Sequence, residues 1–277
     1  MFRALKTAAS GMDAQQKQID IIANNLANVN TVGFKKARGE FQDLFYQQLR
    51  SAAAPDASQT TSPIGLEIGQ GVRMMSSQKM FTTGDMLPTG NSLDLAIEGE
   101  GFFRAQMPDG SFSYTRAGNL KLDARRQMVT SDGYVIEPGI EIPDDAVEIT
   151  ISREGVVSVR QNTNEDIVEV GQLTLVAFQN PAGLNSKGRG LYEATPASGE
   201  ITEAQPGADG LGFTVQGQLE SSNVQVVEEM IDLISAQRAY EVNSKVIQAA
   251  DQMLRDATNL LHSGETGRRR QDRESGR

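Results

Sequence analysis

Few residues of this 277-residue chain have side chains suited to catalysis or metal binding. There is no cysteine to supply a thiolate, and the one histidine, His262, has no second imidazole to act with. His262 lies near the end of a predicted helix, and we expect it on the surface. The sequence therefore argues against a histidine-dependent nucleophile and against a metal site.

A glycine-rich segment and two acidic pairs are the remaining chemical candidates. Residues 183–190 are rich in glycine, but they lack the Lys-Ser/Thr pair of a phosphate-binding loop and no helical pattern follows them. Asp144 with Asp145, and Asp94 with Glu98, are acidic pairs of a kind common in β turns. We therefore predict no catalytic residue, no cofactor, no metal and no small-molecule substrate, and we predict that the protein is not an enzyme.

Composition and hydropathy argue against some partners and targeting segments. The formal net charge is −10, which disfavours a nucleic-acid partner because phosphate binding needs a basic surface. No run of about 18 apolar residues predicts a transmembrane span, and residues 1–11 lack the apolar core of a cleaved signal peptide. Hydrophobic residues make up 38% of the chain, enough for a folded core.

The basic residues gather at the C-terminus. Five of the 26 lie in the last ten positions: Arg268, Arg269, Arg270, Arg273 and Arg277. We predict that residues 263–277 form a disordered basic tail, with contact to an anionic surface as the second interpretation.

The two ends of the chain carry heptad patterns that predict long helices. In the first, Leu5, Met12, Ile19 and Leu26 recur every seven residues, Ile22 widens the stripe, and the Asn- and Gly-containing segment 28–33 predicts its end. In the second, the repeat is Val226, Leu233, Tyr240, Ile247, Leu254 and Leu261, with Met230 in the accompanying column and Gly264 as the predicted end. An apolar heptad stripe requires a partner helix, so we predict that the two helices pair as a coiled-coil-like core.

Between the helices the period of the pattern shortens to that of β-strands. Short β-branched or aromatic runs occur at 102–103, 112–115, 147–151, 156–159 and 173–178, separated by Asp-Gly and Glu-Gly turns. The predicted fold class is α+β, with a central all-β domain. We predict a terminal helical core from 1–32 and 220–262, a connecting region from 33–95 and 206–219, and a β-rich outer domain over 96–205. Within the connecting region we predict a second helix over 34–50 and an extended stretch over 51–70.

Three groups of motifs resemble the signatures of bacterial flagellar rod and hook proteins. They are 10–16 (SGMDAQQ), 22–31 (IANNLANVNT) and 33–35 (GFK); 93–103 (LDLAIEGEGFF) and 114–118 (YTRAG); and 220–224 (ESSNV), 228–230 (EEM) and 237–245 (QRAYEVNSK). Within this family, residues 49–72, which end in GLEIGQGV, resemble the insertion typical of distal rod subunits. A proximal rod or hook subunit stays open as an alternative, as does a secreted β-domain binding protein with a helical stalk.

The resemblance implies a structural subunit of a hollow helical axle that carries motor torque to the hook. It implies a homopolymer that meets other axial subunits, namely proximal rod proteins and hook protein, as well as the P-ring and L-ring proteins. It places the chain in the basal body, in the rod that crosses the periplasm, after passage through the flagellar type III export apparatus without signal cleavage.

Self-assembly is expected to use the apolar stripes of both helices together with a few polar side chains. Asn24, Asn25 and Asn28 offer amides that cap the backbone and bridge subunits, and helix termination alone is the alternative. Arg238 is expected to pair with a neighbouring subunit, and a solvated helix face is the alternative.

Overall fold

The computed structural model describes residues 2–50, 65–161 and 167–274, except for the side chains of Phe2, Arg50 and residues 257–274. The described chain begins and ends in helices, α1 (Phe2–Ala27) and α2 (Val226–Glu274). The strands between them are β1 (Ala37–Asp43), β2 (Tyr46–Arg50), β3 (Leu66–Gly69), β4 (Val72–Lys79), β5 (Met86–Pro88), β6 (Leu95–Glu98), β7 (Phe102–Gln106), β8 (Phe112–Thr115), β9 (Lys121–Leu122), β10 (Met128–Val129), β11 (Val135–Ile136), β12 (Ala146–Ile151), β13 (Val156–Gln161), β14 (Ile167–Gln172), β15 (Leu175–Phe178), β16 (Asn185–Gly188), β17 (Leu191–Glu193), β18 (Ile201–Ala204), β19 (Phe213–Gln216) and β20 (Gln218–Glu220). Helices at both ends and a β-rich centre confirm the predicted α+β class.

The chain divides into two compact units. Unit 1 comprises residues 1–23, 39–77 and 227–277, and unit 2 comprises residues 24–38 and 78–226. Unit 1 therefore contains most of both helices, and unit 2 contains strands β5 to β20.

Unit 2 is built on antiparallel sheets. Its largest sheet has the order β16-β17-β8-β7-β11-β10-β9, with β15 also paired to β7 and β18 paired to β15. Strands β12, β13 and β14 form a second sheet, in which Val157 and Val159 are buried on alternate positions of β13, as the period of two requires. The shared core is apolar: Leu95, Ile97, Phe103, Ala105, Leu120, Met128, Ile136, Ile140, Ile142, Ile151, Val157, Val159, Leu173, Leu175 and Leu211.

A smaller aromatic cluster packs on the other face of the large sheet. Phe81, Phe102, Phe178, Tyr114 and Tyr192 meet edge to face, with ring centroids 4.8–6.0 Å apart. This geometry places the positive edge of one ring against the negative face of the next, which favours one fixed arrangement of the cluster.

In unit 1, helix α1 lies against strands and against α2. A Cβ atom added at Gly39 of β1 would lie 2.8 Å from Gln18 Oε1, so this strand approaches α1 closely because glycine has no side chain. Ser10 Oγ accepts a hydrogen bond of 3.3 Å from the N–H of Val72. A Cβ at Gly11 would lie 2.9 Å from Asn243 Nδ2 of α2, which identifies Gly11 as a point of close contact between the helices.

The strand predictions at 102–103, 112–115, 147–151, 156–159 and 173–178 are confirmed by β7, β8, β12, β13 and β15. The second helix predicted over 34–50 is wrong, because this segment forms β1 and β2. Its apolar residues do recur at helical spacing. However, β1 pairs with β4 and β2 pairs with β3, and these partners supply backbone hydrogen bonds that override a short local pattern.

The predicted end of the last helix at Gly264 is also wrong, since α2 continues to Glu274. The disordered tail is therefore contradicted over 263–274, while residues 275–277 lie outside the described part. Arg, Gln and Glu are good helix formers, and each of the two glycines, Gly264 and Gly267, weakens a helix by only about 1 kcal/mol. The predicted extended stretch 51–70 falls largely on 51–64, outside the described residues, and its end forms β3.

Candidate assembly surface and polar junction

Helix α2 presents an apolar face that unit 1 leaves uncovered. Val227 is 71% exposed and Ile231 58% exposed, and Ile234, Val246 and Met253 are also exposed. Successive members of this group are four, three, twelve and seven residues apart. Taken together, these spacings keep the five side chains along one side of α2. We call Val227, Ile231, Ile234, Val246 and Met253 the open face of α2. Aligned exposed apolar side chains of this kind mark interaction sites.

The predicted assembly residues occupy several environments. On α1, Ile22 and Asn25 are buried, Leu5, Met12, Ile19 and Leu26 are partly buried, and Asn24 is exposed. Asn28, which follows the helix, is partly buried. On α2, Leu233, Ile247 and Leu254 are partly buried, whereas Val226, Met230, Arg238 and Tyr240 are exposed. The side chain of Leu261 lies outside the described residues.

The most deeply buried column of α2 is one that the sequence analysis missed. Ala236 and Ala250 are buried at seven residues on either side of Asn243, the residue that packs over Gly11. Small residues permit the close approach of neighbouring backbones, and the larger residues of the predicted column flank this line. The sequence does contain a signal for this line, because the two alanines are fourteen residues, or two heptads, apart. The prediction instead chose the adjacent column because its apolar residues are larger.

Strands β2 and β3 form a second uncovered apolar region in unit 1. Phe45, which precedes β2, is 89% exposed, and Tyr46 and Leu66 are also exposed. Phe45 lies within the segment 34–50 that was predicted to be helical. The structure instead places it immediately before β2, which pairs with β3.

A buried ionic cluster lies in unit 2 and joins three segments far apart in sequence. Lys35 Nζ lies 2.5 Å from Glu220 Oε1, and Arg116 lies 3.2 Å from Glu220 Oε2. All three residues are buried. Lys35 also donates to the carbonyl of Thr82 at 2.6 Å, and the N–H of Gly84 donates to Glu220 Oε1 at 2.9 Å. We call this cluster and the polar contacts around it the polar junction.

Burial controls the proton affinities of the cluster. It lowers the pKa of the Lys35 ammonium below 10.5, and Glu220 opposes this shift while Arg116 adds to it. Burial likewise lowers the pKa of the Arg116 guanidinium below its ordinary value, against the attraction of Glu220. The two buried cations, Lys35 and Arg116, thus share one carboxylate as their counter-ion. Burial of a charge costs several kcal/mol per ion unless the ion is paired.

Two asparagine side chains extend the junction. Asn25 Nδ2 donates to the carbonyl of Ala37, and the N–H of Ala37 donates to Asn25 Oδ1, both at 2.9 Å. Asn223 Oδ1 accepts from the N–H of Lys36 at 2.7 Å. Outside the junction, Asn28 Nδ2 donates to the carbonyl of Asn24 at 2.8 Å.

Glycine allows the junction segments to approach one another. Gly33 has φ of +66°, and a Cβ there would lie 2.7 Å from the carbonyl carbon of Arg116. Its N–H donates to the carbonyl of Glu220 at 2.8 Å. The motif runs 33–35, 114–118 and 220–224 noted in the sequence thus meet in one place, although their contact could not be read from the sequence.

Among the described residues, no group of three or more His, Asp or Glu is arranged to hold a metal ion. Within the same residues, no helix has the length and hydropathy needed to cross a membrane.

Helices at both ends of a β-rich centre, with exposed apolar side chains along α2 and no arranged metal site among the described residues, are features of a structural subunit. Three family profiles match the chain: "Flagella basal body rod protein" over residues 5–35, "Flagellar hook protein FlgE/F/G D1 domain" over 96–159, and "Flagellar basal body rod FlgEFG protein C-terminal" over 215–260. The chain belongs to the flagellar basal-body rod protein FlgG family. The resemblance to flagellar rod and hook proteins is thereby confirmed.

Similarity to relatives of this name extends over nearly the whole chain. The chain is 48% identical to the FlgG protein of Borreliella burgdorferi, with 94% of this chain and 99% of the relative covered. It is 47% identical to that of Caulobacter vibrioides, with 94% and 100% covered, and 40% identical to that of Bacillus subtilis, with 94% and 99% covered. The family is one of structural rod proteins and not of enzymes.

Proposed function

We propose that this chain is the subunit of a flagellar distal rod, which polymerises helically into a hollow drive shaft. The shaft transmits motor torque to the hook and conducts exported subunits. The observation that carries this proposal is the open face of α2, a line of exposed apolar side chains on a helix whose opposite side is already in use. Family membership supplies the biological setting.

In this proposal, α1 and α2 pair as a coiled-coil-like core and the open face recruits neighbouring copies. The contact of Gly11 with Asn243 supports the pairing, since it brings one helix directly against the other. Head-to-tail contacts between identical chains generate a helical polymer when the rotation does not close. Burying the exposed half of five side chains contributes about 1 kcal/mol each, or on the order of 5 kcal/mol per subunit.

The partners follow from this role. The polymer joins other axial subunits, with proximal rod proteins on one side and hook protein on the other, and the P-ring and L-ring proteins surround it. The chain reaches its place in the periplasm-crossing rod through the type III export apparatus, without cleavage of a signal peptide. The β-rich body of unit 2 supplies the surface that faces the rings.

A pair of matched variants tests the role of the open face. Ile231→Ser combined with Ile234→Ser removes the centre of that face, whereas Ile201→Ser changes an isoleucine of similar exposure on β18. We expect the double variant to form no tubes in electron micrographs of the purified protein and to fail to restore swimming in a deletion strain. The Ile201→Ser variant is expected to retain both properties. Tubes of normal length and yield from the double variant would contradict the proposal.

A further inference from the structure

The asparagine contacts of the polar junction do not involve the open face of α2, so they call for a separate explanation. Asn25 lies in the last turn of α1, and Asn223 lies three residues before the start of α2. Their partners, Ala37 and Lys36, are consecutive residues of one chain segment. The junction therefore connects the end of one helix to the beginning of the other through two neighbouring peptide groups.

Both connections are specific in geometry. The amide of Asn25 donates to the carbonyl of Ala37 and accepts from its N–H, so it engages this residue at both backbone groups. Asn25 is buried, which prevents water from replacing either bond at no cost.

Asn223 is held equally firmly on its side of the junction. While its oxygen accepts from the N–H of Lys36, its Nδ2 donates to the carbonyl of Met80 at 2.8 Å and to Thr82 Oγ1 at 2.9 Å. Displacement of residue 223 along the chain direction by even one residue would break all three contacts.

A heptad repeat by itself leaves the relative position of two helices ambiguous. Sliding one helix by seven residues, about 10 Å, restores the same alternation of apolar columns. The column of Leu233, Tyr240, Ile247 and Leu254 consists throughout of large, mainly apolar side chains. It therefore discriminates weakly between helix positions that differ by seven residues. Buried polar groups that are satisfied in only one arrangement are a documented means of fixing register.

We propose that Asn25 and Asn223 are positioning residues that hold α1 and α2 in one axial register, by binding the adjacent residues Ala37 and Lys36. This inference rests on the proposed function, because register matters when the helices pair and present one repeating surface to identical copies. In this proposal the two asparagines act within one chain, through the helices that they adjoin.

The test measures a distance within one chain of the assembled tube. The sequence contains no cysteine, so Gln16→Cys on α1 and Gln248→Cys on α2, both exposed positions, accept spin labels uniquely. Labelled chains are co-assembled with an excess of unlabelled chain, and the label–label distances are measured by pulsed electron paramagnetic resonance. The parent is expected to give one narrow distance distribution.

The variants separate register from simple stability. Asn25→Ala combined with Asn223→Ala is expected to broaden the distribution or add a second population, and to raise the protein concentration needed for tube growth about tenfold. Asn185→Ala, a change of the same residue type at an exposed position on β16, is expected to match the parent. Thermal unfolding of the β sheets, followed by tyrosine circular dichroism, reports any general loss of stability.

The outcomes distinguish this inference from the proposed function. Tubes of the double variant that keep the single parental distance would overturn the register role and leave the proposed function intact, whereas a parent that forms no tubes would overturn the proposed function. If the double variant does not assemble, the single variants Asn25→Ala and Asn223→Ala decide, because each removes only one of the two connections. We expect each single variant to broaden the distance distribution, and single variants that both keep the narrow parental distribution would overturn the inference.

Discussion

Glu220 is the single anion of the buried ionic cluster, and its replacement by glutamine offers the sharpest test of how unit 2 is held together. Every polar group that faces its carboxylate is a donor: the Lys35 ammonium, the Arg116 guanidinium and the N–H of Gly84. A glutamine amide has one oxygen and one NH2 group. Whichever way the amide is turned, its NH2 group would face a donor, and the negative charge would be lost.

The expected cost follows from burial. Removal of one partner from a buried ion pair destabilises a protein by about 3–5 kcal/mol, because the remaining charge is left without compensation. Lys35 and Glu220 have no exposed side-chain surface and Arg116 has 3%, so solvent cannot screen the loss. We therefore expect Glu220→Gln to lower the free energy of unfolding by about 4 kcal/mol.

The measurement is urea unfolding of the full chain, followed by near-ultraviolet circular dichroism of its tyrosines, since the chain has no tryptophan. The matched control is Glu148→Gln, which removes the acid from the exposed pair with Arg160. Exposed pairs contribute about 0–1 kcal/mol, so the control should lie within that range. The slope of the unfolding free energy against urea concentration should stay the same if only stability changes.

A second substitution tests the cause of the loss. Adding Lys35→Met to Glu220→Gln removes one of the two unpaired cations and should cost less than Lys35→Met does alone. In a double-mutant cycle we expect a coupling of at least about 1.5 kcal/mol. A Glu220→Gln protein within about 1 kcal/mol of the parent, or additive effects of the two changes, would refute the reasoning.

Three further predictions concern other parts of the chain. Burial raises the pKa of Tyr192 to about 12, against about 10 for an ordinary tyrosine. Its contribution of roughly 3 kcal/mol to stability is therefore complete below about pH 10 and is lost as the pH rises to about 12. Urea unfolding should show this loss reduced in Tyr192→Phe and unchanged in the exposed control Tyr46→Phe. Gly118→Ala would place a Cβ in overlap with the carbonyl oxygen of Leu95, so a fall in melting temperature is expected, and an unchanged value would contradict this close approach of residue 118 to Leu95. Phe45→Ser should leave the free energy of unfolding within about 0.5 kcal/mol, since Phe45 is almost fully exposed, while lowering the yield of tubes in micrographs; a normal yield would exclude Phe45 from the assembly surface.

The periodic elements of the fold were predictable from the sequence alone. Heptad spacing predicted helix α1 and its approximate end, as well as the start of α2. The alternation of apolar and polar residues predicted strand β13, whose Val157 and Val159 are buried. Asp109-Gly110 and Glu154-Gly155 were predicted as turns, and both glycines have the positive φ that such turns need. These features follow from interactions between residues close together in the chain, so the local pattern contains the necessary information.

The tertiary structure decided the features that depend on distant partners. Residues 37–50 became strands because 66–69 and 72–79 were available to pair with them. Lys35 and Glu220, which are 185 positions apart, look in the sequence like ordinary exposed charges, yet the fold buries them together with Arg116. A charge can be buried only where folding supplies its counter-ion, and no pattern of neighbouring residues records which distant side chain that will be.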